Sequence, residues 1–519
     1  MGPQPQAPGE GGPVIQRIIQ TLLALALLLG GTVPADAAAP PPVVEVITSS
    51  GALRGTGDGR GGALFRGIPF AQPPVGPLRW QPPQPLSWAG VRDATHPSPP
   101  CLQRGYGWND ALATRSQEDC LYLDIRTPAL LPRAALPVMV WIHGGANRAG
   151  AADGTVLSSL ADQGVVLVAI QYRLGTFGFL SLPELTAESP HHASGNYGLM
   201  DQMAALAWIR QNIGIFGGDP GNITIFGESA GGQDVGQLML APDARGLFAK
   251  AIGQSGTAGF GVAPRTLDEN EALGQQLLDK AGVKSLAQLR TLSGADILAA
   301  TDRLKPVTIA DDSFIWLQAV IDGWILPQAP EDLLASAAPV PLMIGNNARE
   351  LTLYGGPDAV VPTIRQAFGP NAAKALAFYG IKGTALPAPD TRLGDVATQL
   401  ADDLTFRCPT LHVAAVHAAG GHPTWVYHFD RSPAQGAVTH GSDLPFVFDG
   451  RPAGIPDDDT PTLQRYWVNF ARNGDPNGQG LAHWPAYDAT GAYLAFTDAG
   501  PQAMTGLRGS LCGLRPPTP

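Results

Sequence analysis

Short apolar segments alternate with longer segments of helical periodicity through the middle of the chain. Each short segment is apolar at nearly every position and ends in glycine, a polar turn or a charged residue, which is typical of strands buried on both faces. The predicted strands cover residues 137–142, 165–172, 223–226, 340–344 and 425–429. Strands that alternate with helices indicate an α/β fold with a mainly parallel central sheet flanked by helices.

Three segments between and after these strands have the pattern of helices. In residues 200–216, apolar side chains recur along one side of a helix. A second helix is predicted from Thr460, a favourable N-cap, with Pro461 at the first helical position and Gly474 at its end. Residues 267–304 are also rich in helical patterns and are suited to form a cap over the sheet.

The N-terminal part has a different pattern. Residues 43–66 alternate apolar and polar positions between glycine turns, which predicts a small antiparallel sheet. Residues 69–100 are rich in proline but contain Phe70, Trp80 and Trp88, whose large apolar side chains need burial. We therefore expect an ordered, irregular surface there rather than a linker.

The first residues are predicted to be an export signal. Arg17 precedes an apolar run over 18–29. Pro34 ends the helical pattern of this run, and the small-x-small sequence ADA follows at 35–37. A helix that spans a bilayer needs roughly 20 apolar residues, so we favour a cleaved signal over a membrane anchor or a buried helix.

This interpretation gives a simple organisation. A signal peptide covers residues 1–37, and a single domain covers residues 38–519. No later segment has enough consecutive apolar residues to span a bilayer. We therefore expect a secreted or periplasmic protein with no membrane span in the mature chain.

Composition narrows the class of protein. Of the 519 residues, 44% are hydrophobic and 15% are charged, against roughly 25% charged in an average soluble protein. The hydrophobic share excludes a disordered polymer. The net charge of −11 argues against a nucleic-acid partner, because phosphate binding needs a basic surface.

The four cysteines suit an oxidising compartment. An even number of cysteines in an exported chain suggests disulfides, and four cysteines allow three pairings that spacing alone leaves open. The simplest arrangement has one disulfide that closes a short local loop and a second disulfide that closes a long loop. No Cys/His cluster has the spacing of a zinc site, so we expect no metal.

The strongest chemical signal is the segment GESAG at 227–231. It follows the predicted strand 223–226 and precedes a helical segment, which is the context of a nucleophile elbow. The glycines are needed because side chains there would clash with the neighbouring strand and helix. The turn holds Ser229 in a strained conformation with its hydroxyl exposed at the carboxyl end of the sheet.

A serine nucleophile needs a base, an acid that orients the base, and donors for the oxyanion. The backbone N–H of Ala230, directly after the serine, is one expected donor. The turn His143-Gly144-Gly145-Ala146 follows the strand 137–142 and is suited to supply the others. We interpret His143 as a structural residue of this turn rather than as the base.

The base is expected after Ser229 in the chain, because the order in such hydrolases is serine, acid, histidine. His440 is favoured because it lies in a glycine-containing loop, where catalytic residues are common. The other candidates are His412, His417, His422, His428 and His483.

For the acid, Glu350 follows the predicted strand 340–344 by a polar turn, which places a carboxylate in the same layer as Ser229. Asp312 and Asp322 are rivals on position alone. The residues alone do not decide which histidine is the base or which carboxylate is the acid.

Several longer segments carry a resemblance to a known family. They are residues 65–85, 116–125, 196–232, 251–256, 344–351, 440–448 and 473–477, which include FRGIPFAQPPVGPLRW, SQEDCLYLDI, GNITIFGESAGG and HGSDLPFVF. In these segments the chain resembles the type-B carboxylesterases, a family that includes cholinesterases, bacterial carboxylesterases and some fungal lipases. The resemblance extends over nearly the whole mature chain, residues 46–487.

The resemblance implies an α/β-hydrolase fold with helical insertions over the active site. It also implies that Ser229 is the nucleophile, His440 the base and Glu350 the orienting acid. The oxyanion donors would be the backbone N–H groups of three residues, and three further residues would support the site. The donors are Gly145, Ala146 and Ala230, and the supporting residues are Gly144, Glu228 and Ser255.

The same resemblance implies two disulfides, Cys101–Cys120 and Cys408–Cys512. The implied substrate is a small-molecule carboxylic ester, hydrolysed by acyl transfer in two halves without a metal or an organic cofactor.

The chain departs from the family next to the oxyanion turn. Ala146 stands where many relatives have glycine, and Asn147-Arg148 stands where relatives usually have apolar residues. A guanidinium here would favour esters with carboxylates near the scissile bond, such as the tricarballylate esters of fumonisins. The alternative is that Arg148 turns outward to Asp153 or to water.

A second functional class is a binding protein on an inactive esterase scaffold, as in neuroligin-like adhesion molecules. Such proteins have typically lost the nucleophile and carry a membrane span. This chain keeps the serine, the glutamate and the histidine. The sequence therefore favours an active carboxylic ester hydrolase.

Overall fold

The computed structural model describes residues 41–131, 133–304, 319–353, 355–432, 437–449 and 460–515, and within them thirteen strands form one mixed sheet. The predicted signal peptide and the rival acid Asp312 lie outside the described residues. The strands are β1 (Val43–Ile47), β2 (Ala52–Gly57), β3 (Ala63–Pro69), β4 (Val91–Asp93), β5 (Tyr122–Thr127), β6 (Leu136–Ile142), β7 (Val166–Ile170), β8 (Gly218–Glu228), β9 (Lys250–Gln254), β10 (Leu342–Asn347), β11 (Thr424–Asp430), β12 (Ala492–Thr497) and β13 (Gly500–Thr505).

The centre of the sheet is parallel and its margins are antiparallel. The order is β1-β2-β3-β5-β7-β6-β8-β9-β10-β11-β12-β13, with β4 beside β2. The strands from β7 through β6 and β8 to β12 pair in parallel. The predicted N-terminal antiparallel strands continue this same sheet, because β3 pairs antiparallel with β5.

Helices fill the connections between the strands. They are α1 (Asp110–Thr114), α2 (Gly175–Phe179), α3 (Pro183–Glu188), α4 (Tyr197–Asn212), α5 (Ala230–Leu240), α6 (Leu267–Ala281), α7 (Leu286–Thr291), α8 (Gly294–Thr301), α9 (Pro330–Leu334), α10 (Gly356–Phe368), α11 (Ala372–Phe378), α12 (Val396–Asp402), α13 (Cys408–Ala419), α14 (Leu444–Phe448), α15 (Thr460–Asn473) and α16 (Gly509–Cys512). A π-helical turn, Asp403–Arg407, joins α12 to α13. Among the described helices, none is both long enough and apolar enough to cross a membrane.

Burial on both faces explains why the central strands are apolar at every position. In β6, Val138, Val140 and Ile142 pack into the core on one face of the sheet, whereas Met139 and Trp141 pack into the core on the other. Alternate side chains of a strand point to opposite faces, so a strand with helices on both sides needs an unbroken apolar run.

The predicted elements are present, with shifted bounds. The strand predicted at 223–226 is the buried part of the longer β8. The helix predicted over 200–216 is α4, which begins at Tyr197 and is followed by a 3₁₀ turn, Ile213–Phe216. In the proline-rich segment, Phe70 and Trp80 are buried and Trp88 is partly buried, as their size requires.

Two disulfides join distant parts of the chain. They link Cys101 to Cys120 and Cys408 to Cys512, with Cα–Cα distances of 4.9 and 5.1 Å. This is the pairing that the family resemblance implies. The second bridge fastens α16, near the end of the chain, to the beginning of α13.

We expect the Cys408–Cys512 disulfide to contribute more to stability than the Cys101–Cys120 disulfide. It closes a loop of 104 residues against 19, and a longer loop removes more entropy from the unfolded chain. Replacing both Cys408 and Cys512 with alanine should lower the free energy of unfolding by about 2–4 kcal/mol. Urea unfolding of both double variants measures this, and a smaller loss in the Cys408/Cys512 variant would contradict the ranking.

Candidate active site

Ser229 lies at the sharp turn between β8 and α5. Its backbone has φ +58° and ψ −124°, a conformation that residues with a side chain rarely adopt. Two hydrogen bonds hold the turn: Ser229 N–H donates to the carbonyl of Gln254 at 2.9 Å, and the Ser229 carbonyl accepts from Gln233 N–H at 2.9 Å. The strain is therefore maintained by the neighbouring strand β9 and by the first turn of α5.

The glycines around Ser229 are required by close backbone contacts. A Cβ at Gly227 would lie 2.5 Å from the carbonyl oxygen of Gly231, and one at Gly231 would lie 2.1 Å from that of Ile142. A Cβ at Gly232 would lie 2.6 Å from the Gln254 carbonyl oxygen. The turn can thus fit between β6 and β9 only without side chains at these positions.

His440 and Glu350 meet beside this turn. The Nδ1 atom of His440 lies 2.7 Å from Oε2 of Glu350. The other Glu350 oxygen accepts from the Ser255 hydroxyl at 2.7 Å and from Asn347 N–H at 2.6 Å. Both oxygens of this buried carboxylate are therefore fixed in direction, and one of them faces the imidazole.

The other candidate bases lie elsewhere. Of the six histidines after Ser229, only His440 lines the cavity that contains Ser229. His412 contacts Glu331 at 3.1 Å, and His417 contacts the Val340 carbonyl at 2.9 Å. His422 packs on the ring of His417, His428 is buried within β11, and His483 is exposed.

The rival acid Asp322 makes hydrogen bonds to the backbone of its own turn. Its Oδ1 accepts from the N–H groups of Trp324 and Leu326, both at 3.0 Å. This is the geometry of a turn stabilised by an aspartate side chain.

A second carboxylate faces the other side of the imidazole. Oε1 of Glu228 lies 3.3 Å from Nε2 of His440. Burial raises the pKa of Glu228 to about 7. Burial alone would lower the pKa of His440, but the carboxylates of Glu228 and Glu350 outweigh it and raise that pKa to about 10. The site therefore favours a positively charged imidazole.

The turn after β6 approaches Ser229 closely. A Cβ at Gly144 would lie 2.5 Å from the Glu228 carbonyl oxygen and 3.0 Å from Ser229 Cβ. Gly145 has φ +109°, and a Cβ there would lie 2.2 Å from the Ala149 carbonyl oxygen. Ala146 also has a positive φ, +56°. Gly144, Gly145, Ala146 and Ala230 line the same cavity as Ser229.

His143 takes part in the packing of this turn. It is buried, its ring stacks on Tyr172 with centroids 4.5 Å apart, and its Nδ1 lies 2.9 Å from the Gly144 carbonyl oxygen. Burial lowers the pKa of His143 to about 4, so the ring is neutral at pH 7. These contacts agree with a structural interpretation.

The cavity above Ser229 has a volume of about 890 Å³. Its lining combines the polar groups described above with apolar side chains and one guanidinium. The helices α6–α8 do not supply this lining, whereas the π-helical turn contributes Thr405 and Phe406. Other lining residues are Trp108, Leu112, Trp141, Arg148, Val262, Leu351 and Leu444.

Arg148 lies inside this lining rather than on Asp153. Its Cζ lies 4.5 Å from the centre of the Tyr106 ring. Asp153 instead pairs with Arg66 and Arg115. Arg148 thus makes a cation–π contact with Tyr106 in place of the alternative ion pair with Asp153, and the alternative that it turns to water stays a prediction.

Sequence reasoning missed two buried aspartates near His440 and Glu350. Asp443, fully buried, accepts from Gln254 Nε2 at 2.7 Å and from the Tyr427 hydroxyl at 3.0 Å. Asp402 accepts from the N–H groups of Glu350 at 3.1 Å and Leu351 at 2.9 Å. Asp443 lies in HGSDLPFVF, one of the segments that carry the family resemblance, so a signal for it was present. No sequence pattern pointed to Asp402.

Comparison of the sequence with known proteins identifies its family. The sequence profile of the Carboxylesterase family matches residues 41–359 and 371–513. The chain is 37% identical to the liver carboxylesterase of Sus scrofa, with 91% of this chain and 92% of that protein covered. It is also 37% identical to a protein of Anas platyrhynchos named a medium-chain fatty acyl-CoA hydrolase precursor, over 91% of this chain and 92% of that protein.

Solved structures give the same result. The carboxylesterase EST55 of Geobacillus stearothermophilus superposes with a TM-score of 0.77 at 32% identity, covering 91% of this chain and all (100%) of that chain. A structure named PNB esterase gives a TM-score of 0.76 at 33% identity, covering 91% of this chain and 99% of that chain. The chain therefore belongs to the carboxylesterase family and is a serine-type carboxylic ester hydrolase with the α/β-hydrolase fold.

Proposed function

We propose that this enzyme hydrolyses carboxylic esters through an acyl-enzyme formed on Ser229. The observation that carries the proposal is the 2.7 Å contact between His440 Nδ1 and the buried Glu350, beside a serine held in a strained turn. A buried carboxylate on Nδ1 fixes the imidazole orientation, so that Nε2 is the atom that exchanges protons with the serine and the substrate.

In the first half-reaction, Ser229 Oγ attacks the ester carbonyl while His440 Nε2 takes its proton. The negative charge that develops on the carbonyl oxygen accepts hydrogen bonds from the N–H groups of Gly145, Ala146 and Ala230. The ester C–O bond then breaks, and His440 donates its proton to the departing alkoxide.

In the second half-reaction, water repeats the sequence. His440 takes a proton from water, the hydroxide adds to the acyl-enzyme carbonyl, and the bond to Ser229 Oγ breaks as the serine regains its proton. Glu350 stabilises the imidazolium in both halves. Ser255 and Asn347 support this role, because they keep the second Glu350 oxygen hydrogen-bonded.

We also propose that the enzyme is exported. Two disulfides suit an oxidising compartment, since cytosolic thiols are kept reduced. The apolar run over 18–29 and the small residues at 35–37 supply the signal for this route.

A second candidate function is the hydrolysis of esters that carry carboxylates near the scissile bond, such as fumonisin-type tricarballylates. Arg148 favours it, because this residue lines the cavity next to the proposed oxyanion turn and rests on the Tyr106 ring. A guanidinium pairs well with a carboxylate, and stacking on an aromatic ring limits its freedom before the substrate binds.

Replacing Ser229 with alanine should abolish both turnover and covalent labelling by a fluorophosphonate, because the nucleophile is lost. Wild-type protein should take up one label per chain, and mass spectrometry should find it on Ser229. A wild-type enzyme that hydrolyses p-nitrophenyl butyrate without labelling at Ser229 would contradict the acyl-enzyme proposal.

Replacing Glu228 with glutamine should move the acidic limb of the kcat/KM pH profile to lower pH by about one unit or more. His440 must be neutral to accept the serine proton, and the Glu228 carboxylate raises its pKa. Removal of that charge lowers the pKa, so activity persists at lower pH. Glu331→Gln, which changes a surface carboxylate near His412, is the matched control. An unmoved limb in the Glu228 variant would refute this account.

Replacing Arg148 with leucine should raise KM about tenfold for esters with a carboxylate near the scissile bond, and leave neutral esters within about twofold. Arg104→Leu, which removes a nearby arginine paired with Asp302, should change neither class. Equal losses on acidic and neutral esters in the Arg148 variant would exclude the second candidate function.

A further inference from the structure

Two adjacent residues of the turn after β6 adopt backbone conformations that side chains disfavour. Ala146 has φ +56° and Asn147 has φ +50°. A left-handed conformation is unfavourable at a residue with a Cβ, although asparagine tolerates it better than most. Two such residues in succession persist only where surrounding contacts hold them.

The side chain of Asn147 supplies such contacts. It is fully buried, and its Nδ2 donates to Oδ1 of Asp234 at 2.9 Å. The Tyr172 hydroxyl lies 3.0 Å from Oδ1 of Asn147 and 2.7 Å from the carbonyl oxygen of His143. The side chain therefore ties the turn to Tyr172, which follows β7, and to Asp234.

Asp234 belongs to the helix that begins at Ser229. It lies on α5 and is fully buried, and its other oxygen accepts from Gln202 of α4 at 2.5 Å. Burial raises the pKa of Asp234 to about 7. Each oxygen of this carboxyl group thus accepts a hydrogen bond from one buried side-chain amide, and one of these amides is that of Asn147.

From these contacts we propose that Asn147 and Asp234 are positioning residues for the oxyanion site. Their hydrogen bond fixes the turn that carries the N–H groups of Gly145 and Ala146 to the helix that carries the N–H of Ala230. The inference rests on the proposed role of these three N–H groups. It adds a device that sets the distance between the two halves of the site.

The physical reason is that oxyanion donors act only when they are held in place before the reaction. Their contribution is to the transition state, because the oxyanion is more highly charged than the ester carbonyl. Displacement of donors by about 1 Å costs up to about a hundredfold in rate. Loss of the Asn147–Asp234 bond should therefore lower kcat and leave KM nearly unchanged.

The main test is Asn147→Gly, because glycine keeps φ +50° without strain while the amide is lost. We expect kcat for p-nitrophenyl butyrate to fall about tenfold to a hundredfold and KM to stay within about twofold. Inhibition by an aryl trifluoromethyl ketone should weaken by a similar factor, since its adduct with the serine carries an oxyanion. The neutral substrate keeps Arg148 out of the comparison.

A matched pair at Asp234 separates positioning from packing. Asp234→Asn keeps an oxygen that accepts from Asn147, and Gln202 can accept from the new amide after its side-chain amide rotates, so kcat should stay within about threefold. Asp234→Leu keeps the number of side-chain heavy atoms but removes the acceptor of the Asn147 and Gln202 amides, so it should reproduce the loss. The Asn147→Gly/Asp234→Leu double variant should fall no further than the worse single variant, because both remove one interaction.

The stability control is Asn270→Ala. Asn270 is also a buried amide, and it donates to the Phe179 carbonyl and to the Ser181 hydroxyl, both outside the cavity lining. This variant should lower the thermal unfolding midpoint and leave kcat unchanged.

Unchanged kcat and inhibitor affinity in Asn147→Gly and Asp234→Leu would overturn the inference, as would a loss that appears equally in Asn270→Ala. If neither of these two variants folds, Tyr172→Phe decides, because it removes only one hydroxyl. It should lower kcat severalfold with KM unchanged, and wild-type kinetics would then overturn the inference. Failure of the fluorophosphonate to label the wild type would instead reject the proposed acyl-enzyme and leave the tie between turn and helix without a catalytic role.

Discussion

The site depends on one steric constraint, the close approach of the Ser229 turn to strands β6 and β9. Gly231 lies so near the Ile142 carbonyl that a Cβ would be 2.1 Å from it, and Gly232 lies similarly near Gln254. This packing forces Ser229 into its strained conformation and keeps it there. It also brings the turn after β6 against Glu228. The same contacts therefore fix the position of Ser229 and the positions of the neighbouring backbone N–H groups.

Around this turn, buried carboxylates do most of the positioning. Glu350, Asp402, Asp443 and Asp234 are each buried and each accept hydrogen bonds from backbone N–H groups or side-chain amides and hydroxyls. An unsatisfied buried carboxylate is costly, so each one fixes the groups that surround it. The imidazole of His440 lies between Glu228 and Glu350. Because both are carboxylates, the imidazole favours its positively charged form more strongly than it would in water.

Most of the fold followed from the sequence because parallel strands buried on both faces leave unbroken apolar runs, as in β6, β7 and β11. The element bounds did not follow, because the ends of β8 and α4 depend on hydrogen bonds to neighbours rather than on local composition. In the site, the motif GESAG predicted the serine together with its context, a strand before it and a helical segment after it, because such a short motif also occurs by chance. The choice of His440 and Glu350 rested on loop position and family resemblance.

The sequence by itself determined the α/β class and the family, and it predicted Ser229 as the nucleophile and Asn147-Arg148 as a departure from the family pattern. Only the tertiary structure decided which of six histidines lines the cavity with Ser229, where Arg148 lies, and that Asn147 bonds to Asp234. These contacts, His440 with Glu350, Asn147 with Asp234 and Arg148 with the Tyr106 ring, join residues 42 to 90 positions apart. The local sequence pattern does not predict which of these residues meet in space, because that depends on how the sheet and its helices pack.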